Sequence, residues 1–219
     1  MMGVTIVEGL NAAVNRGEIA GAVALVTDAE ETLFIGTVGL SNVAGNEKMT
    51  PDAMFCIASM TKPVTAAAVL VLQDEGKLSL DDPLENHLPE FAHLKNAGGK
   101  RVQVTLRQCL AHTSGMSDVS LEEENRAEKL EDLIPMILEK PTLFDPGERW
   151  EYCQTSINMA AHVVEVITGQ SFPEFMRERF FELLGMKDTS FYPTEEQVAR
   201  LARCYSRTES DGWRDDGWS

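Results

Sequence analysis

The sequence lacks any apolar run approaching the roughly 20 residues of a membrane span, so no transmembrane helix is expected. Behind Met1-Met2-Gly3-Val4 there is no basic segment followed by an apolar one, so no signal peptide is read. A cytoplasmic location is expected, or a periplasmic one if the natural start lies upstream. Cysteine is scarce and scattered: Cys56, Cys109, Cys153 and Cys204 form no close pair. That spacing, and the lack of any metal-ligand spacing among His87, His93 and His162, argues against a metal site, and four free, mostly buried thiols are expected. Positive charge is also short. Nineteen basic residues face 35 acidic ones, for a formal charge of −16, a surface that repels phosphate backbones and argues against a nucleic-acid partner. The acidic runs Glu122-Glu123-Glu124 and Asp215-Asp216 read as solvated surface. No internal repeat or low-complexity segment is present.

What is present is a globular pattern. The 219 residues suffice for a sizeable core. Residues 4–17 place Val4, Ile6, Val7, Leu10, Ala13 and Val14 at helical spacing and end at Gly17. Gly21–Thr27 and residues 32–40 are β-branched and apolar, with a connection of hairpin length between them. Residues 54–57 read as a short extended piece. From Met60 to Gly76 the apolar positions fill most of a helix circumference, which predicts a buried central helix. Residues 78–100 read as an irregular wrapping segment, and Pro141 to Arg149 as a loop with its turn at Pro146-Gly147. Further helices are predicted over 105–111, 130–139, 155–168 and 172–184. The tail after Tyr205 is polar, with Trp213 and Trp218 as stray apolar residues. Only two strands are legible, too few for a stable sheet, so the sheet is expected to be incomplete in this chain.

The chemistry concentrates at Ser59-Met60-Thr61-Lys62. A serine hydroxyl is a poor nucleophile and needs a base. At i and i+3 of a helix the two side chains share a face, so Lys62 can reach the Ser59 oxygen. Burial in an apolar helix is expected to lower the lysine pKa, and the Ser59 backbone N–H at a helix start suits an oxyanion. On these four residues alone, a helix-capping serine fits equally well.

The surrounding blocks carry a resemblance. Phe55 to Thr65, reading Phe-Cys-Ile-Ala-Ser-Met-Thr-Lys-Pro-Val-Thr, resembles the nucleophile segment of the serine β-lactamase-related family: class C β-lactamases, DD-peptidases and family VIII carboxylesterases. Leu110-Ala111-His112-Thr113-Ser114-Gly115, Pro146-Gly147-Glu148-Arg149-Trp150-Glu151-Tyr152 and Leu184-Gly185-Met186-Lys187-Asp188-Thr189 resemble later family segments, in the family's order.

The resemblance implies an α/β (α+β) fold of the β-lactamase and transpeptidase type, with a helical region packed on an antiparallel sheet. It implies one domain over 1–219: the start of the sheet in 1–50, a mainly helical part in 51–190, and a return to the sheet from 191. It assigns Ser59, Lys62 and Tyr152 as catalytic, with Tyr152 as base or proton relay. From its spacing alone, Tyr152 is also a packed aromatic ahead of a helix. Gln154 stands where the family's Tyr-x-Asn has asparagine; it keeps an amide and is assigned to substrate binding. This departure, with the Ser-Met-Thr-Lys variant, leans toward an ester substrate. His112 is assigned to a structural turn. No cofactor or metal is implied, and the partner is a small-molecule ester or amide. The family's late Lys-Thr-Gly or His-x-Gly finds no match after residue 190, so truncation is expected. The expected function is a carboxylesterase-like serine hydrolase. The alternatives are a DD-peptidase or β-lactamase, and a catalytically silent fragment or penicillin-binding-type sensor.

Overall fold

A computed structural model of the chain describes residues 2–208 and 212–217; Trp218 lies outside the described residues. In chain order the helices are α1 (Met2–Asn15), α2 (Thr61–Asp74), α3 (Leu106–Leu110), α4 (Leu121–Glu124), α5 (Leu133–Leu138), α6 (Gln154–Thr168), α7 (Phe172–Met176) and α8 (Glu195–Ala199). The strands are β1 (Gly21–Thr27), β2 (Thr32–Asn42), β3 (Glu47–Lys48), β4 (Cys204–Arg207) and β5 (Trp213–Gly217). The chain divides into two compact units, one of Met1–Ile57 with Ser190–Ser219, the other of Ala58–Thr189.

In the first unit, β1, β2 and β3 form an antiparallel sheet in that order, and α1 packs on β2. The β1–β2 pairing opens with Gly21 opposite Gly39. A Cβ on Gly39, whose φ is +69°, would lie 2.3 Å from the Ala20 carbonyl oxygen, and one on Gly21 would lie 2.4 Å from that of Leu40. Only glycine lets the two backbones approach this closely. The tail is not stray: β4 and β5 pair antiparallel, and Trp213 opens β5 opposite Arg207 with its ring 6.1 Å from that of Tyr205. Val43 N–H donates to the Tyr205 hydroxyl at 2.8 Å, and Arg203 N–H to the Ser41 carbonyl at 2.9 Å. These bonds tie the tail hairpin to the end of β2.

The second unit is helical. α2 and α6 pack together through Ala68, Val69 and Leu72 on one side and Met159, Ala160, Val163 and Val164 on the other, all fully buried. Full burial of each larger side chain is worth about 1.5–3 kcal/mol. Leu106, Phe175, Met176, Phe91 and Ile137 extend this core. α2 is not buried all round as its composition suggested: Leu70 remains 42% exposed, and Met60 in the turn before it 70%. Ala66 and Ala67 make the helix read as apolar throughout, but such small side chains need no cover. α6 ends at Gly169, whose φ of +68° is the left-handed stop expected of glycine. The helix predicted over 130–139 starts as a 3₁₀ turn, Leu130–Asp132, before α5. The one predicted over 172–184 widens after α7 into a π-type turn, Arg177–Phe181.

The run Glu122-Glu123-Glu124 is only partly solvated surface. Glu123 closes the capping box of α4 on Ser120 and accepts from Lys140 Nζ at 2.7 Å. Lys140, then the Ser120 amide, hold the Glu123 carboxyl down to about 2. Burial, then the nearby Asp118 charge, push Glu124 upward. No disulfide forms among the cysteines: Cys109 and Cys153 are buried as expected, but Cys56 is exposed and Cys204 half-buried. Among the described residues, no helix is long and apolar enough to cross a membrane.

Candidate active site

Ser59 lies in a 3₁₀ turn, Ala58–Met60, which runs directly into α2. Ala58 has a φ of +44°, a left-handed conformation that costs an L-residue about 1–2 kcal/mol and lifts the chain abruptly into the turn. One turn on, Lys62 Nζ donates to Ser59 Oγ at 3.1 Å. The i, i+3 spacing therefore does what helical geometry requires of it. Lys62 is half-buried and Ser59 exposed.

Tyr152 arrives from a different part of the chain. The segment from His112 to Gly115 lies along residues 143–151 through three backbone bonds: Leu143 N–H to the Gly115 carbonyl at 2.7 Å, Gly147 N–H to Thr113 at 2.8 Å and Glu151 N–H to His112 at 2.9 Å. Gly115 (φ +72°) is required there, since a Cβ would meet the Phe144 carbonyl oxygen at 2.3 Å. A buried polar network fixes this pair of segments to the start of α6. The Ser114 and Ser156 hydroxyls lie 2.6 Å apart, Thr155 N–H donates to Asp118 Oδ1 at 2.8 Å, and Val119 N–H donates to Thr155 Oγ1 at 3.0 Å. The Cys153 thiol donates to Asp118 and accepts from Ser156 Oγ, and burial pushes it up to about 11. Asp118 thus serves a helix end that has no cap from its own N-cap residue, Cys153.

Held this way, Tyr152 places its hydroxyl 2.7 Å from Ser59 Oγ as donor. Lys62 Nζ also sits 4.8 Å from the Tyr152 ring centre. Hydrogen bonding from Lys62, then from Ser59, draws the phenol below its ordinary value of 10. Gln154 accepts from Lys62 Nζ through Oε1, and its Nε2 donates to Asn158 Oδ1 at 2.8 Å. An ammonium can only donate, so the Gln154 carbonyl must face Lys62 and its NH₂ must face Asn158. The four sequence-predicted site residues are therefore linked in one hydrogen-bonded series, from Tyr152 to Ser59 to Lys62 to Gln154.

Sequence reasoning missed two neighbours, Asn158 and Asp118, and gave a third, His112, only a place in a turn. Asn158 orients Gln154 and stands four residues after it, a spacing that could have been used. Asp118 anchors the first turn of α6. His112 stacks on Tyr152 at 4.6 Å, with Trp150 against it edge-on at 6.1 Å.

A helical unit carrying a serine whose oxygen accepts from both a lysine and a tyrosine is in keeping with the β-lactamase-fold class of proteins. The Beta-lactamase family profile matches residues 6–219, and the chain belongs to that family. Protein flp of Staphylococcus aureus (strain MW2) is 31% identical over 182 residues, covering 82% of this chain and 36% of that protein. Protein Rv1367c of Mycobacterium tuberculosis is 32% identical over 221 residues, covering 92% of this chain and 55% of that protein. The chain thus spans between about a third and about half the length of these curated relatives. In fold, it is similar to EstCE1, described as a hydrolase with promiscuous acyltransferase activity: TM-score 0.86, 24% identity, 97% of this chain and 58% of that one. The β-lactamase/transpeptidase-like architecture, helices with small antiparallel sheets, agrees with the expectation from sequence.

Proposed function

We propose that this chain carries the acylation machinery of a carboxylesterase-like serine hydrolase, acting through a serine ester. The observation that supports it is the bracketing of Ser59 Oγ by the Tyr152 hydroxyl at 2.7 Å and Lys62 Nζ at 3.1 Å. In this reading Tyr152, drawn toward the phenolate by Lys62, accepts the Ser59 proton along the 2.7 Å line as Oγ attacks the ester carbonyl. The Ser59 backbone N–H serves as one oxyanion donor. The carbonyl collapses, the alkoxide leaves with the proton from Tyr152, and water then repeats the sequence in reverse to release the acid. Lys62 steadies the Ser59 oxygen, with Gln154 as its second acceptor. The scheme needs no cofactor.

Ester preference is supported by Gln154 in the asparagine position and by its engagement with Lys62 and Asn158. The similar fold of EstCE1, a hydrolase with promiscuous acyltransferase activity, is in keeping with a serine acyl intermediate. The test is labelling by a fluorophosphonate probe, with Ser59→Ala as control, followed by hydrolysis of p-nitrophenyl acetate against a chromogenic cephalosporin. We expect wild type but not Ser59→Ala to label, and the ester to be the better substrate. Absence of labelling sinks the acyl-transfer reading in favour of a silent chain. Faster cephalosporin turnover moves the assignment to a β-lactamase or DD-peptidase.

A further inference from the structure

We infer that His112 is the positioning residue for Tyr152, acting as a neutral imidazole with a bare Nδ1, and that its protonation releases the tyrosine. Three contacts meet on this one residue. Its backbone carbonyl accepts from Glu151 N–H at 2.9 Å, and its Nδ1 accepts from Cys153 N–H at 3.2 Å. These are the residues immediately before and after Tyr152, so the tyrosine backbone is pinned on both sides by the same histidine. The ring itself lies against the Tyr152 ring at 4.6 Å and 28°, which fixes the direction of the hydroxyl. His112 adopts a φ of +57° to do this, a conformation uncommon outside glycine and asparagine.

A backbone N–H can only donate. Nδ1 must therefore be unprotonated, and the neutral ring carries its proton on Nε2. The charged groups that act on the ring are Lys62 from α2 and Asp118 from the following loop, with the Tyr152 phenol and Cys153 in contact. Burial, then Lys62, holds the imidazole below its ordinary value of 6.5. The sign follows directly. Above that value the ring is neutral and the clamp is intact. As pH falls through the lowered folded value, Nδ1 gains a proton that opposes the Cys153 N–H, donor against donor. A second cation then also stands beside Lys62.

The inference rests on the proposed role of Tyr152, and its test separates the two. Nitrogen-15 NMR of the histidine-labelled chain reads the tautomer without any turnover. At pH 8 His112 should show a pyridine-like Nδ1 and a protonated Nε2, with protonation below 6.5. In p-nitrophenyl acetate hydrolysis, the wild-type pH profile should steepen from one proton to two below that midpoint. His112→Asn keeps an acceptor near Nδ1 and tolerates positive φ, but does not titrate there. It should keep the KM and lose the steepening. His112→Phe keeps a ring face but no acceptor, and should lose about tenfold or more in kcat. A proton on Nδ1 at pH 8, or a steepening that persists in His112→Asn, overturns the inference. If the wild-type chain neither labels nor turns over, the functional reading fails and the tautomer alone decides the clamp.

Discussion

The two halves of the Ser59–Tyr152 contact are built in opposite ways. The serine stands on a short exposed turn entered through a left-handed alanine, and α2 begins there without a side-chain cap. The tyrosine is itself 46% exposed, but the segments on either side of it are tied down by the buried Ser114 and Ser156 hydroxyls and Cys153 thiol, and by the carboxylate of the exposed Asp118. One partner is therefore set by a local backbone choice, the other by a long-range polar network. A satisfied buried network is rigid, and it fixes one arrangement where an apolar contact would allow several. The difference teaches that precision at the proton-transferring side is assembled from residues roughly 40 positions apart, while the nucleophile needs only its own turn and Lys62.

Replacing Tyr152 by Phe cuts this comparison most deeply. The ring contact with His112 survives, the hydroxyl on Ser59 does not, and kcat should fall by on the order of 10²–10⁴ with the circular dichroism spectrum unchanged. Because Lys62 lowers the Tyr152 pKa, the reactive phenolate is gained as pH rises. The wild-type kcat/KM should therefore climb with pH toward a midpoint below 10, and this limb should vanish in the Phe variant. Next in size is Ser156→Ala. It leaves the buried Ser114 hydroxyl without its 2.6 Å partner and should cost about 1–3 kcal/mol, read as a drop of roughly 2–4 °C in Tm for each kcal/mol. A wild-type Tm in that variant would mean that the network is not what braces the tyrosine side. The smallest effect belongs to Ala58→Gly. Glycine accepts the +44° φ freely, so the folded chain should gain up to about 1 kcal/mol, while the turn carrying Ser59 becomes looser. A loss of stability there would show that the alanine conformation is not strained.

Much of this arrangement was legible in the sequence where periodicity or a punctuating residue dominates. β1 has the predicted bounds, α2 and α6 run to within two residues of their glycine stops, and Thr105 caps α3 in a box with Gln108. The four candidate residues singled out from the sequence do lie in one hydrogen-bonded cluster. The tail hairpin was not legible, because β5 reads Trp-Arg-Asp-Asp-Gly and carries no alternation; pairing with β4, rather than an apolar face, makes it a strand. β3 is two residues long, below any periodic signal. α8 was missed although Thr194 and Gln197 carry the capping signature, which the structure uses. The contacts of His112 were illegible for a deeper reason. They join two loops, and nothing in local pattern encodes which loops will lie side by side.

Lys62 has one further consequence. Its nitrogen directs protons toward three different things at once: a hydroxyl, an amide carbonyl and the face of an aromatic ring. A tetrahedral ammonium on a flexible stem can serve three directions that do not share a plane. A guanidinium cannot, since its donors are confined to one flat fork. Arginine would preserve the positive charge here and lose the shape of the site. The lysine is specified by solid geometry as much as by its charge.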